Sequence, residues 1–299
     1  MRVKLIGERE SWLDLDVDAP AGMETKSHLT AWRVRRRGTL VLLKLVQGSG
    51  VWNEDGRLLA FFRKVSDLEI SDGRLVLLSN EFGPCAGGAR GVRHSIKEST
   101  TPLQVTDGQS VGVAQMLDLC VPTGGANYLE ISAAARLGLA SWLDQSEWGY
   151  VLFNLDSKLQ LGPGPTWKRP TIAPAAFSPD GRLVVSCQHE RAAWWNDETD
   201  DPSEVPSPGG RRRLGTVSTH TVSTGEIRES EFFVDLPAGW LPDRPYNSEW
   251  YRVWGPEFID ERSLRVWLPD GTSETLALPL PESVVLSRPL GNQRTWLEP

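Results

Sequence analysis

The stretch Phe177-Ser178-Pro179-Asp180-Gly181-Arg182-Leu183-Val184-Val185-Ser186 reads as strand, tight turn, strand. Pro presets the backbone entering a turn, and Asp-Gly supplies the positive φ that an antiparallel hairpin needs. Gly181 is therefore expected at positive φ. Outward from this hairpin, short alternating or apolar runs recur. Leu13, Leu15 and Val17 alternate with Asp14, Asp16 and Asp18, a half-buried strand pattern with the acids facing water. Leu40 to Val46 is an apolar run bounded by Gly38 and Gly48, and Phe61, Leu68, Ile70 and Leu75 to Leu78 continue the theme. Leu214 to Val222 alternates and ends at Ser223-Thr224-Gly225, while Leu264, Val266 and Leu268 lead into Pro269-Asp270-Gly271. The best helical candidate, Tyr128 to Trp142, reads instead as a strand pair. With 28 Gly and 21 Pro as punctuation, the chain is many short strands joined by turns, an all-β protein.

Three weaker copies share the frame of the hairpin. Trp52-Asn53-Glu54-Asp55-Gly56-Arg57-Leu58 keeps the aromatic, the turn and Arg-Leu. Ile131-Ser132-Ala133-Ala134-Ala135-Arg136-Leu137 keeps Ser, Arg and Leu. Phe258-Ile259-Asp260-Glu261-Arg262-Ser263-Leu264 keeps the aromatic, the acid and Leu. The segment at Phe177 closely resembles the repeat hairpin of WD40-type β-propellers. Gaps of 79, 46 and 81 between the first residues of the copies fit two, one and two repeats of about 40–45 residues each. The resemblance implies four-stranded antiparallel blades near residues 12, 52, 92, 131, 177, 218 and 258. Seven blades are expected, with six and long insertions as the alternative, in a single domain over 1–299. No hairpin is evident near 92 or 218. In the repeat from Ile131, Tyr150 to Leu155 would be the third strand and Asp156-Ser157-Lys158 the turn. In the next, Ala192 to Asn196 would be the third strand, followed by a surface insertion from Asp197 to Arg213. The Gly-His and Trp-Asp dipeptides of WD40 repeats are absent, so their buried Asp-His-Ser-Trp network is not expected.

Net charge is −7, which argues against nucleic acid as the main partner, since phosphate binding needs a concentrated basic footprint. A local basic stripe, Arg33, Arg35, Arg36 and Arg37, lies beside a strand-like run. It reads as a solvated face or edge protection, with an anionic ligand as the alternative. Cys85, Cys120 and Cys187 are odd in number and widely spaced, which suggests neither a zinc site nor a disulfide framework. A reducing, cytoplasmic setting is expected from that usage. No apolar run approaches a membrane span.

No catalytic constellation stands out. His28, His94, His189 and His220 are not at metal-ligand spacing, and no nucleophile elbow or phosphate loop is present. Gly87 to Gly91 is Gly-rich but reads as a loop. The acids of Asp197 to Glu204 lack the spacing of a calcium loop. Neither a metal nor a cofactor is expected. The 13 tryptophans are the unusual feature. Many must pack between blades, but Trp167, Trp240 and Trp250 fall in loop-like contexts, and Tyr, Trp and Arg are enriched at binding hot spots. The candidate binding residues are Trp167, Arg169, His189, Glu190, Arg244 and Tyr246, expected on one rim. The function expected is a non-catalytic scaffold or adaptor for a protein or peptide partner. The alternatives are a propeller hydrolase or lyase with a channel-centred metal, and a small-molecule sensor.

Overall fold

The computed structural model describes residues 1–5, 11–13, 15–23, 28–79, 83–85, 91–100, 102–103, 111–121, 125–143, 147–168, 175–189, 210–236, 257–267 and 273–286. All its regular structure is β, in five sheets among the described residues. The chain divides into two compact units, Met1–Pro170 and Thr171–Pro299.

The first unit carries three sheets. The first is built from β1 (Arg2–Leu5), β2 (Ser11–Leu13), β3 (His28–Arg37), β4 (Leu40–Leu45), β5 (Gly48–Asn53) and β6 (Leu58–Phe62). Strands β3 to β6 form an antiparallel meander, and β1 pairs parallel to the start of β3. The second sheet is the meander β7 (Val65–Ser71), β8 (Arg74–Ser79), β9 (Val92–Ser99) and β10 (Val113–Val121). The third is the meander β11 (Gly125–Ser132), β12 (Leu137–Leu143), β13 (Glu147–Asn154) and β14 (Gln160–Lys168). Tyr128 to Trp142 is thus a strand pair, with β13 in the expected third-strand place and its turn at Leu155 to Ser157, one residue earlier than the hairpin frame sets it.

The second unit holds β15 (Ala176–Phe177), β16 (Leu183–His189), β17 (Gly210–Thr221) and β18 (Ile227–Leu236) in one antiparallel meander. It also holds the three-stranded sheet of β19 (Glu257–Asp260), β20 (Ser263–Trp267) and β21 (Ser273–Ala277). The last strand, β22 (Ser283–Leu286), pairs parallel to β18.

The apolar runs are explained by sheets covered on both faces. In β8, Leu75 and Leu77 pack with Leu42, Val51, Leu59 and Leu68 between the first and second sheets. Val76 and Leu78 pack with Leu119, Leu129, Ala140 and Trp142 between the second and third. Side chains alternate faces along a strand, so a strand sandwiched between two cores must be apolar at every position. In β4, Leu42 likewise faces the second sheet while Val41, Leu43 and Leu45 face Leu15, Val17 and Trp52. Leu15 and Val17 are buried and Asp16 and Asp18 exposed, as their alternation predicts, although the residues from Leu15 are not in a strand.

Gly181 has φ +70°, as its turn requires. The repeat frame holds for three of the four hairpins. Those from Ile131, Phe177 and Phe258 each join the first and second strands of a sheet. The copy at Trp52 joins the third and fourth strands of the β3 to β6 meander, β5 and β6, so the gap counted from it spans no whole number of repeats. The true first hairpin of the second sheet is Ile70-Ser71-Asp72-Gly73-Arg74-Leu75, with Asp72 at φ 48° and Gly73 at φ 70°. Regular structure also fills the two places where no hairpin was evident: β9 begins at Val92, and β17 and β18 flank the turn after Thr221. Residues 190–209, holding the expected third strand at Ala192 to Asn196 and most of the insertion, lie outside the described residues. Arg211, Arg212 and Arg213 belong to β17, not to the insertion.

The cysteine reading needs correction. Cys85 and Cys120 form a disulfide with Cα atoms 5.6 Å apart, and Cys187 is a buried cysteine outside that bridge. Cys120 lies on β10, and Cys85 follows β8 beside the bridge between Pro84 and Val92. A sheet neighbour 35 residues away leaves no trace in spacing. The argument from spacing to a reducing compartment therefore loses its premise. Among the described residues, no helix is long and apolar enough to cross a membrane.

Candidate functional site

The basic stripe and two acids make the most distinctive polar cluster of the first unit. On β3, Arg33, Arg35 and Arg37 share one face at a spacing of two. On β7, Asp67 and Glu69 do the same. The two ladders interleave. Asp67 accepts from Arg33 at 3.1 Å and from Arg35 at 2.6 Å. Glu69 accepts from Arg35 at 3.0 Å and from Arg37 at 2.7 Å. Each carboxylate thus bridges two guanidiniums. Both acid side chains are only 1% exposed, against 9% for Arg35 and 17% for Arg33.

A third strand closes the cluster. The Leu129 carbonyl on β11 accepts from Arg35 at 2.7 Å and Arg33 at 3.3 Å, and its N–H donates to Asp67 at 2.9 Å. Glu130 accepts from Arg33, and the Leu68 carbonyl accepts from Arg35. Strands β3, β7 and β11 are the first strands of three successive meanders, so these bonds tie the three sheets together. A bulge in β3 between Ala31 and Arg33 sets the register that brings the arginines there.

The basic stripe is therefore not a solvated face, contrary to the reading from sequence. Three of its four arginines are spent on acids that the sequence places more than 30 residues away. Burial, with Arg35 beside it, lowers the Arg33 guanidinium to about 10, and Asp67 and Glu69 oppose that shift. It stays charged at neutral pH. With every carboxylate oxygen of Asp67 and Glu69 accepting, neither acid is free to take a proton from a substrate or to hold a cation. Among the described residues, no three His, Cys, Asp or Glu side chains gather as metal ligands.

Lys44, on β4 opposite Arg33, stands at the edge of this cluster. Its ammonium donates to the Asn127 carbonyl and sits 4.0 Å from the centre of the Tyr128 ring. The Arg33 guanidinium lies 5.6 Å from the same ring. Burial pushes the Lys44 amine down to about 8; Asp67 opposes the shift, and Arg33 and Arg35 add to it.

Of the six residues singled out from sequence, Trp167 and His189 lie within the described residues. Trp167 lies on β14, the fourth strand of its sheet, with its backbone paired to Trp148. His189 ends β16 in the second unit, paired with Gly215. Arg169, Glu190, Arg244 and Tyr246 lie outside the described residues. Trp142 and Trp148 are buried. The arginine–acid ladder was missed, although Arg-x-Arg-x-Arg on one strand and Asp-x-Glu on another have matching periods.

No family model matches the chain, and no curated protein does. Its similarities are to solved structures. KlHsv2, the Kluyveromyces lactis Hsv2, with loop 6CD replaced by a Gly-Ser linker aligns at TM-score 0.47 and 12% identity. That alignment covers 82% of this chain and 64% of that protein. Kuenenia stuttgartiensis hydrazine synthase aligns at TM-score 0.43 and 11% identity, over 77% of this chain and 58% of the other. Pyrococcus horikoshii acylaminoacyl peptidase aligns at TM-score 0.39 and 10% identity, over 66% and 31%. The chain thus spans less than two thirds of the length of each. The all-β architecture rests on the strand pairing of this chain itself.

Proposed function

We propose that this chain is a non-catalytic β-propeller scaffold, its meander sheets serving as blades, and that it docks a protein or peptide partner. The supporting observation is the interleaved ladder of Arg33, Asp67, Arg35, Glu69 and Arg37. Where three first strands meet, the strong acids and bases neutralise one another, which suits a rigid hub better than a reaction centre. A hydrolase or lyase with a channel-centred metal is disfavoured by the same bonds, since Asp67 and Glu69 are already held by arginines. The docking work then falls to side chains at strand ends and connections. Trp167, Arg169, His189, Glu190, Arg244 and Tyr246 are the proposed anchors, because aromatic and Arg side chains carry most of the energy of binding surfaces.

The test is native affinity purification of the full chain, with identification of what co-purifies. Replacing Trp167 and Arg169 together by Ala is expected to abolish capture and leave the unfolding free energy within about 0.5 kcal/mol of the parent. Release of the partner by deletion of residues 197–209 alone would move the working surface to that insertion and refute the anchor set.

A further inference from the structure

We propose that the edge of the inner cluster at Lys44 is a binding site for a small carboxylate anion, held by the Lys44 ammonium with Arg33 beside it. The inference goes beyond the docking reading and does not depend on it.

The argument begins with charge. The cluster gathers Arg33, Arg35, Arg37 and Lys44 against Asp67, Glu69 and Glu130. Every acid is taken by an arginine. Among the described residues, Lys44 has no carboxylate within ion-pair distance; its partners are a neutral carbonyl and the face of a ring. A half-buried ammonium with two guanidiniums as neighbours is an uncompensated charge, which is costly unless an anion joins it. Asp67 is near enough to act on Lys44 through space but is bonded to Arg33, Arg35 and two backbone N–H groups.

Access is partial. Asp67 and Glu69 are sealed at 1% exposure, whereas Arg33 and Glu130 keep 17% and 15%, and Lys44 is itself half-buried. Arg37 is 42% exposed at one end of the cluster, and Arg33, Glu130 and Lys44 keep partial exposure at the other. Glu130 sets the selectivity. Bound to Arg33 there, it repels a second charge, which favours a singly charged carboxylate over a doubly charged phosphate. The amine that titrates near 8 without an anion would be held protonated by one.

The probe is sodium acetate, with sodium chloride at equal ionic strength as the control and inorganic phosphate as a second arm. The titration of Lys44 is followed in the full-length protein by pH-dependent reductive methylation, read by peptide mass spectrometry. Acetate is expected to saturate, to raise the Lys44 midpoint by about one unit, and to slow methylation of Lys44 at pH 8 several-fold relative to surface lysines. Phosphate is expected to do less. Acetate should also raise the unfolding temperature of the parent and of Lys44→Arg but not of Lys44→Met. An unmoved Lys44 midpoint, or an equal response to chloride, overturns the proposal, as does an equal acetate response in Lys44→Met. The methylation readout needs no variant, so misfolding of Lys44→Met leaves the test intact. A stronger response to phosphate refutes the assigned selectivity. Partner capture plays no part in this assay, so its failure and that of the docking reading are separate results.

Discussion

Arg35 Nη2 lies 2.6 Å from Asp67 Oδ1, joining the first strand of one meander to the first strand of the next through a pair almost wholly withdrawn from water. The same guanidinium reaches Glu69 and the carbonyls of Leu68 and Leu129, so one side chain spans three sheets. A planar fork of donors can do this; a single ammonium cannot.

Arg35→Ala is expected to lower stability by about 3–5 kcal/mol, because Asp67 and Glu69 then stay buried without their shared partner. Arg35→Lys should recover only part of that loss. Urea denaturation of the two variants checks both statements; equal stability of Arg35→Lys and the parent would show that geometry at this site does not matter.

Gly181, at φ +70°, allows Ser178 to close its turn on Leu183. Gly181→Val places a β-branched side chain in the left-handed region and should cost about 1–3 kcal/mol. An unchanged denaturation midpoint would contradict the turn geometry.

Local chemistry made the hairpins legible. Asp180-Gly181 announced its turn, and the pair from Ile131 to Leu137 was recovered without an Asp-Gly because its flanking strands kept their pattern. Trp52 misled because Asp55-Gly56 marks a hairpin equally well between third and fourth strands, and a turn signal carries no blade position. Ser71-Asp72-Gly73-Arg74 was passed over inside a longer apolar run. The ion-pair ladder and the disulfide were out of reach for another reason: Arg33 meets Asp67, and Cys85 meets Cys120, only across sheet pairings that no local window contains.

The Cys85–Cys120 bridge closes a loop of 35 residues. Removing it by Cys85→Ser should destabilise the protein by about 2–4 kcal/mol. Thiol titration of the denatured, unreduced protein should find one reactive group, that of Cys187, rather than three. Three reactive thiols in freshly isolated protein would contradict the pairing.

The depressed amine of Lys44 gives stability a pH dependence. Its folded value near 8 lies below the ordinary 10.5, so the unfolded chain binds more protons between those limits. Stability should therefore rise with pH from about 8 toward 10. Tyr150, whose hydroxyl is pushed up by burial, opposes this above its ordinary 10.0. The difference in unfolding free energy between the parent and Lys44→Met, followed from pH 7 to 10 without added carboxylate, isolates the lysine contribution. A flat difference would contradict it.

Asp67→Asn probes the hub most directly, with unfolding free energy and partner capture measured on the same preparation. Arg33 and Arg35 lose their shared counter-charge in this variant. A structural hub predicts a loss of about 3–5 kcal/mol in stability with capture per folded molecule unchanged. Retained stability with lost capture would make the ladder itself the working site and contradict the scaffold account.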